Sequence, residues 1–207
     1  MSVDHVALGM SYWRVPLARA IPALALAAVT TFSTGHSADF GLLTFGVFAV
    51  ITGAATGVLA RASMPTGRPR TVLLGQAAIT LGVGVVALLA SSAGLLFYLY
   101  LVSVWAVVTG FLELYAGLST RRRLTAARDW IVSGALTALV GIVFLVLPPD
   151  YAQTFRADGG IDGVVTASVF GVGLLGVYGA ILGVFLMIAA LSLKWETVKP
   201  VPARGEN

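Results

Sequence analysis

Residues Trp105–Gly134 read WAVVTGFLELYAGLSTRRRLTAARDWIVSG, and they decide how the rest of the chain is interpreted. An apolar run with a single carboxylate, Glu113, is followed by four arginines, and a second apolar run begins at Trp130. An apolar run that ends in arginines is typical of a membrane helix that ends at a cytoplasmic surface. The stretch therefore predicts two membrane spans joined by a short basic loop.

The composition of the whole chain agrees with that interpretation. Charged residues make up 11% of the 207 residues, whereas a globular chain carries about 25%. The apolar residues occur in blocks of 18 or more, the length that crosses a bilayer as a helix. No cysteine is present, which excludes disulfides and thiolate metal sites. The net charge of +4 is explained by the basic residues that gather on the cytoplasmic loops of membrane proteins. The chain has no basic patch interleaved with aromatic residues, so no nucleic-acid partner is expected.

The chain divides into a transmembrane domain with a polar segment at each end. We expect a cytoplasmic N-terminal segment over 1–14, a transmembrane domain over 15–194 and a disordered cytoplasmic tail over 195–207. The first span resembles a signal peptide in part, but its prolines and long polar lead favour a retained span. The predicted spans are about 15–33, 40–60, 71–91, 95–119, 130–147 and 163–194.

The basic residues orient these spans. With six spans, twelve of the thirteen basic residues, Arg19 among them, fall on one side, and only Arg156 falls on the other. The positive-inside rule then predicts that both termini are cytoplasmic. Trp13, Trp130 and Trp195 fall at the same boundary, where an aromatic belt would lie.

A repeat is visible in the even-numbered spans. Each places an aromatic residue five positions before a glycine and ends in a basic residue; the segments are Phe48-AVIT-Gly53, Trp105-AVVT-Gly110 and Tyr178-GAIL-Gly183. The odd spans share Gly75-x6-Gly82 and Gly134-x6-Gly141. We therefore predict an all-α integral membrane protein whose six transmembrane helices form three tandem helical hairpins, each with its turn outside. Small residues would let the helices of a hairpin approach closely.

The aromatic-x4-Gly unit, its basic helix end, and Trp130-x3-Gly134-x6-Gly141 before Pro148 resemble the HdeD-like acid-resistance membrane proteins. The resemblance is best over 105–148 and weak in the first hairpin, and the 150–162 loop is longer than the family implies. It implies a multi-pass protein of the bacterial plasma membrane, the cell inner membrane, with a role in acid or envelope stress.

Glu113 is the sharpest candidate for a functional residue. At 100° per residue it shares a small, polar helix face with Thr109, while Val104, Phe111 and Tyr115 lie opposite, on a face suited to lipid. A carboxylate that points into a bundle marks a functional site by default. Gln76 lies at a comparable depth on the third span, and we hypothesise that Glu113 is a proton-titratable group coupled to it. A purely structural hydrogen bond, or a pairing with an arginine, is the alternative.

Two other groups of polar residues are candidates. The cluster Arg121, Arg122, Arg123 and Arg128 is interpreted as a topology anchor that also attracts anionic lipid. His36 lies in the first outer loop near Asp39, and its side chain is a candidate pH sensor because histidine titrates between pH 5 and 8.

No catalytic motif is present, and the two histidines lie on opposite sides of the membrane, so we expect neither an enzyme nor a cofactor or metal. The leading prediction is a non-enzymatic HdeD-like protein that acts structurally or through partners. The lipid bilayer surrounds it, and the partners are a second copy of the chain or another membrane protein. The alternative is a small transporter or channel with Glu113 in its pathway.

Overall fold

Six helices, each long and apolar enough to cross a membrane, make up most of the structure, a computed structural model that describes residues 11–122, 124, 126–157 and 161–198. The helices are α1 (Arg14–Phe32), α2 (Ala38–Ser63), α3 (Arg68–Leu89), α4 (Leu95–Thr120), α5 (Ala127–Val146) and α6 (Ala167–Val198). The prediction of an all-α, six-span membrane protein is confirmed.

The connection between α5 and α6 contains secondary structure that the sequence did not predict. Strands β1 (Ala152–Ala157) and β2 (Ile161–Thr166) form an antiparallel hairpin. Helix α6 consequently begins at Ala167, not at 163, and it continues to Val198. The first four residues of the tail that was predicted to be disordered are therefore helical, while 1–10 and 199–207 lie outside the described residues.

Local sequence signals explain where several helices begin. The side chain of Ser37 accepts a hydrogen bond of 3.2 Å from the N–H of Phe40 and so caps α2. Pro69 lies in the first turn of α3, where its missing N–H costs no helical hydrogen bond. Gly94 has φ +86°, a conformation that glycine adopts without strain, and it makes the tight turn before α4.

The helices pack most closely as α2 with α3, α4 with α5, and α6 with α1. The predicted hairpins, α1–α2, α3–α4 and α5–α6, also touch, but over smaller surfaces. The unit of packing is thus one even helix and the odd helix that follows it, joined across a basic loop in the first two units. In the third unit, α6 pairs with the first helix of the chain and closes the bundle.

Small residues at equivalent positions hold these pairs together. A Cβ atom added at Gly53 would lie 2.6 Å from the backbone nitrogen of Leu81, and one added at Gly110 would collide with the backbone nitrogen of Ala138. A Cβ atom at Gly183 would lie 2.6 Å from the side chain of Leu24. The glycine that ends each repeated aromatic-x4-Gly segment therefore faces the partner helix, as close packing in a membrane requires.

The predicted register of the odd helices was wrong. Gly75 and Gly82 have no neighbouring atom within 4 Å of an added Cβ. Gly84 and Gly141 are the true equivalents, because an added Cβ would lie 2.7 Å from Val50 N and 2.7 Å from Val107 N, respectively. These two glycines are 57 residues apart, the same spacing that separates the repeated segments of α2 and α4.

The repeated aromatic residues meet at the centre of the bundle. The ring of Trp105 lies 6.1 Å from that of Phe48 and 6.3 Å from that of Tyr178, both edge-to-face. We call these three residues the aromatic layer. Trp105 donates a 3.1 Å hydrogen bond to Thr80, and the hydroxyl of Tyr178 lies 3.0 Å from that of Thr137. Thr80 and Thr137 are again 57 residues apart, so the repeat governs these polar contacts too.

Candidate functional site

Glu113 lies inside the bundle, in the half that carries the basic loops, which we call the basic end. Its side chain is 2% exposed, and Thr109 on the same face of α4 is 1% exposed. Val104, Phe111 and Tyr115 are each more than half exposed, so they lie on the outer surface of the bundle, as a lipid-facing side of α4 requires.

Arg19 of α1 forms a two-pronged ion pair with this carboxylate. Its Nη1 donates to Oε1 at 2.6 Å and its Nη2 donates to Oε2 at 2.8 Å. Parallel N–H···O bonds of this kind are among the strongest polar contacts in proteins. The assignment of Arg19 to the basic cytoplasmic surface was therefore wrong, since its side chain is buried in the bundle. Without Arg19, eleven basic residues still fall on the predicted cytoplasmic side and one, Arg156, falls on the other.

Two further donors complete the site. Gln76 of α3 donates its Nε2 to Oε2 at 3.0 Å, and Ser133 of α5 donates its hydroxyl to Oε1 at 2.6 Å. The contact between Glu113 and Gln76 was predicted, and pairing of Glu113 with an arginine was the stated alternative. Neither Arg19 nor Ser133 was identified from the sequence. Each carboxylate oxygen accepts two hydrogen bonds. We call Arg19, Gln76 and Ser133 around Glu113 the cage.

The three donors of the cage occupy the same position of the repeat. Arg19, Gln76 and Ser133 follow one another at intervals of 57 residues, on α1, α3 and α5. The acceptor Glu113 is not repeated. The equivalent position of α2, 57 residues earlier, is Thr56, and the equivalent position of α6, 73 residues later, is Leu186. The 57-residue interval was available in the sequence and would have indicated Arg19 and Ser133 if it had been applied to polar residues of the odd helices.

Two aromatic residues cover the cage at the basic end. Trp130 Nε1 donates a 2.7 Å hydrogen bond to the hydroxyl of Tyr12, and the rings meet edge-to-face at 6.4 Å. Burial raises the pKa of the Tyr12 hydroxyl well above its ordinary value, so this group stays neutral. Trp130 is 4% exposed and is therefore a core residue, not the belt residue that was predicted. Trp195 is 65% exposed, and Trp13 lies under the ammonium of Lys194 at 5.1 Å.

The space beside Glu113 is very small. A cavity of about 10 Å³, walled by Gln76, Leu73, Ala116 and Trp130 among others, adjoins the carboxylate. A cavity needs roughly 10–15 Å³ of this kind of volume to hold one water molecule. The cavity beside the carboxylate is therefore at the lower limit of the size that holds one water molecule.

The other predicted residues do not join the cage. Thr109 donates its hydroxyl to the carbonyl oxygen of Trp105, one turn back on α4, at 2.7 Å. His36 is half-buried, and its Nε2 lies 3.0 Å from the carbonyl oxygen of Thr30 near the end of α1. The arginine cluster is exposed at Arg121, Arg122 and Arg128, and Arg123 lies outside the described residues. Over the part of the chain that the structure describes, no three His, Asp or Glu side chains come together as a metal site would need.

The fold and the buried ion pair define a multi-pass membrane protein built from a repeated helix pair. A family model described as a short repeat of unknown function, DUF308, matches residues 75–146. It is a family of membrane proteins that includes HdeD-like members. The matched residues run from α3 to the end of α5 and include Gln76, Glu113 and Ser133, but not Arg19. No curated protein and no solved structure matches the chain significantly.

Proposed function

We propose that this chain is a non-enzymatic, HdeD-like protein of the bacterial plasma membrane, that its termini are cytoplasmic, and that it acts in acid or envelope stress as a structural element or through partners. The observation that carries the proposal is the cage. A carboxylate that accepts four hydrogen bonds beside a cavity of about 10 Å³ holds helices together. The similarity of residues 75–146 to a family with HdeD-like members supports the link to stress.

The cage connects elements that the close helix pairs leave separate. Arg19 belongs to the pair α1–α6, Gln76 to α2–α3, and Glu113 and Ser133 to α4–α5. All three units of the bundle are thus tied at one point. A buried ion pair is valuable here because it specifies one arrangement of the units, although it contributes little net stability.

A double variant separates this proposal from the alternative of a transporter with a titratable Glu113. In Arg19→Met/Glu113→Gln both charges are removed, while the new amide oxygen still accepts hydrogen bonds from Gln76 or Ser133. We expect cells that lack the native gene to lose survival after acid challenge, and expect the double variant to restore it as well as the unaltered protein does. Arg19→Met alone is the matched control and should restore survival poorly, because it leaves the Glu113 charge buried without its partner.

Purified protein in vesicles provides the second measurement. With a pH-sensitive dye inside the vesicles, we expect proton flux equal to that of protein-free vesicles. A flux that Glu113→Gln abolishes, together with a folded double variant that fails to restore survival, would establish the transporter and contradict the proposal.

A further inference from the structure

A second concave surface lies at the basic end, outside the cage. It is a groove of about 710 Å³ between the α2–α3 loop and the last two turns of α4. Helices α3 and α4 are joined by a tight turn at the opposite end of the bundle. At the basic end they are apart, and the groove lies between them. Its position at the ends of three membrane helices places it at the level of the lipid headgroups.

The groove has an apolar floor and a polar rim. Met64 and Leu124 in its wall are 5% and 8% exposed, and Val72 and Tyr115 add further apolar surface. Arg68 and Ser119 are exposed at its edge. A concave apolar surface with one polar edge fits a ligand that has an apolar chain and a polar head.

The charged residue that lines the groove is basic. Arg68 lines it, and Arg121 and Arg122 directly follow Thr120 in its wall, whereas Asp129, in the first turn of α5 at the same end of the bundle, is not among the lining residues. Each basic residue near a membrane surface attracts anionic lipid by about 1 kcal/mol. The complementary ligand therefore has a negatively charged head.

We propose that this groove is a binding site for one anionic phospholipid, with the phosphate at Arg68 and an acyl chain against Met64, Val72 and Tyr115. A soluble anion would gain nothing from the apolar floor, and a zwitterionic lipid would gain little from the arginines. The proposal is independent of any role in stress, because it concerns only which lipid the bundle retains.

Bound lipid is counted by native mass spectrometry of the full chain in detergent, mixed with phosphatidylglycerol and phosphatidylcholine of equal chain length. We expect preferential retention of phosphatidylglycerol. Arg68→Gln should lower its retention about fivefold, the equivalent of about 1 kcal/mol. Arg61→Gln is the matched control, since Arg61 is exposed at the end of α2 and does not line the groove. Its effect should stay below twofold, because a lipid held in the groove would not contact it.

A second pair of variants tests the groove itself. Ser119→Trp fills it from an exposed position that does not border the cage, and should abolish the preference for phosphatidylglycerol. Leu118→Trp, on the lipid-facing side of the same turn and 48% exposed, should retain it. Equal losses in Arg68→Gln and Arg61→Gln, an unaffected Ser119→Trp protein, or equal retention of the two lipids would overturn the proposal. Displacement of the lipid by inorganic phosphate would overturn it in favour of a free-anion site.

Discussion

Two layers of the bundle use the same repeat in opposite ways. In the aromatic layer, the three copies of one position are Phe48, Trp105 and Tyr178, which share a shape and fill the centre together. In the cage, the three copies of one position are Arg19, Gln76 and Ser133, which differ in size and charge and converge on one acceptor. A repeated scaffold thus keeps similar side chains where packing needs volume and varies them where a single charge has to be satisfied.

The largest effect is expected from breaking the cage on one side only. Arg19→Met should lower the free energy of unfolding by about 3–5 kcal/mol, because it leaves the Glu113 carboxylate buried without its counter-charge. Arg19→Met/Glu113→Gln should recover most of the loss. Titration with a denaturing detergent, followed by circular dichroism, measures both. Equal instability of the single and double variants would show that the site depends on more than charge compensation.

The next effect tests the register in which the repeat packs. Gly110→Ala should cost about 1–3 kcal/mol by forcing α4 away from α5. Gly82→Ala should instead stabilise by about 0.5–1 kcal/mol, because an added Cβ meets open space and alanine is the better helix former. The same denaturation assay compares them. A similar cost for both substitutions would contradict the close contact of Gly110 with Ala138 and the open space beside Gly82.

A smaller effect is expected in the aromatic layer. Tyr178→Phe keeps the ring and removes the hydrogen bond to Thr137, so it should cost about 1 kcal/mol. A double-mutant cycle with Thr137→Ala should give a coupling free energy of similar size. Strict additivity of the two substitutions would show that the 3.0 Å contact contributes nothing to stability.

The smallest effect is expected at the β-hairpin between α5 and α6, which lengthens the interval between the second and third repeated segments. Replacement of residues 152–166 by a short Gly/Ser linker should change the free energy of unfolding by less than about 1 kcal/mol, because a lone two-stranded hairpin is itself marginally stable. A loss of folded protein on size-exclusion chromatography would show that the hairpin stabilises the helix bundle.

Hydropathy and charge were sufficient to predict the six spans, and helical periodicity was sufficient to predict which side of α4 is exposed. These features depend on local sequence, since a bilayer demands one long apolar helix at a time. The hairpin between α5 and α6 was missed although Asp158-Gly159 is a tight-turn signal, because its six-residue strands mix apolar and polar residues and were interpreted as part of a long acidic loop.

The cage was only half predicted, for a different reason. Gln76 was inferred from its depth on a neighbouring span, but Arg19 was assigned to the surface because it lies close to other basic residues at the start of a span. The partner of Arg19, Glu113, is 94 residues away. Arg19 reaches it because α1 packs against α6 and closes the bundle, and no local sequence pattern indicates that packing. The intervals of 57 residues carry that information, but only when polar positions are aligned together with the glycines.

The pairing of the first helix with the last has a consequence for biosynthesis. At about 5–20 residues per second, Glu113 is made roughly 5–20 seconds after Arg19, which it follows by 94 residues. During that time α1 carries an unmatched positive charge, and α6, its closest neighbour, has not yet been synthesised. The contact between α1 and α6 can therefore form only after the last span has been synthesised, so the bundle closes at the end of synthesis.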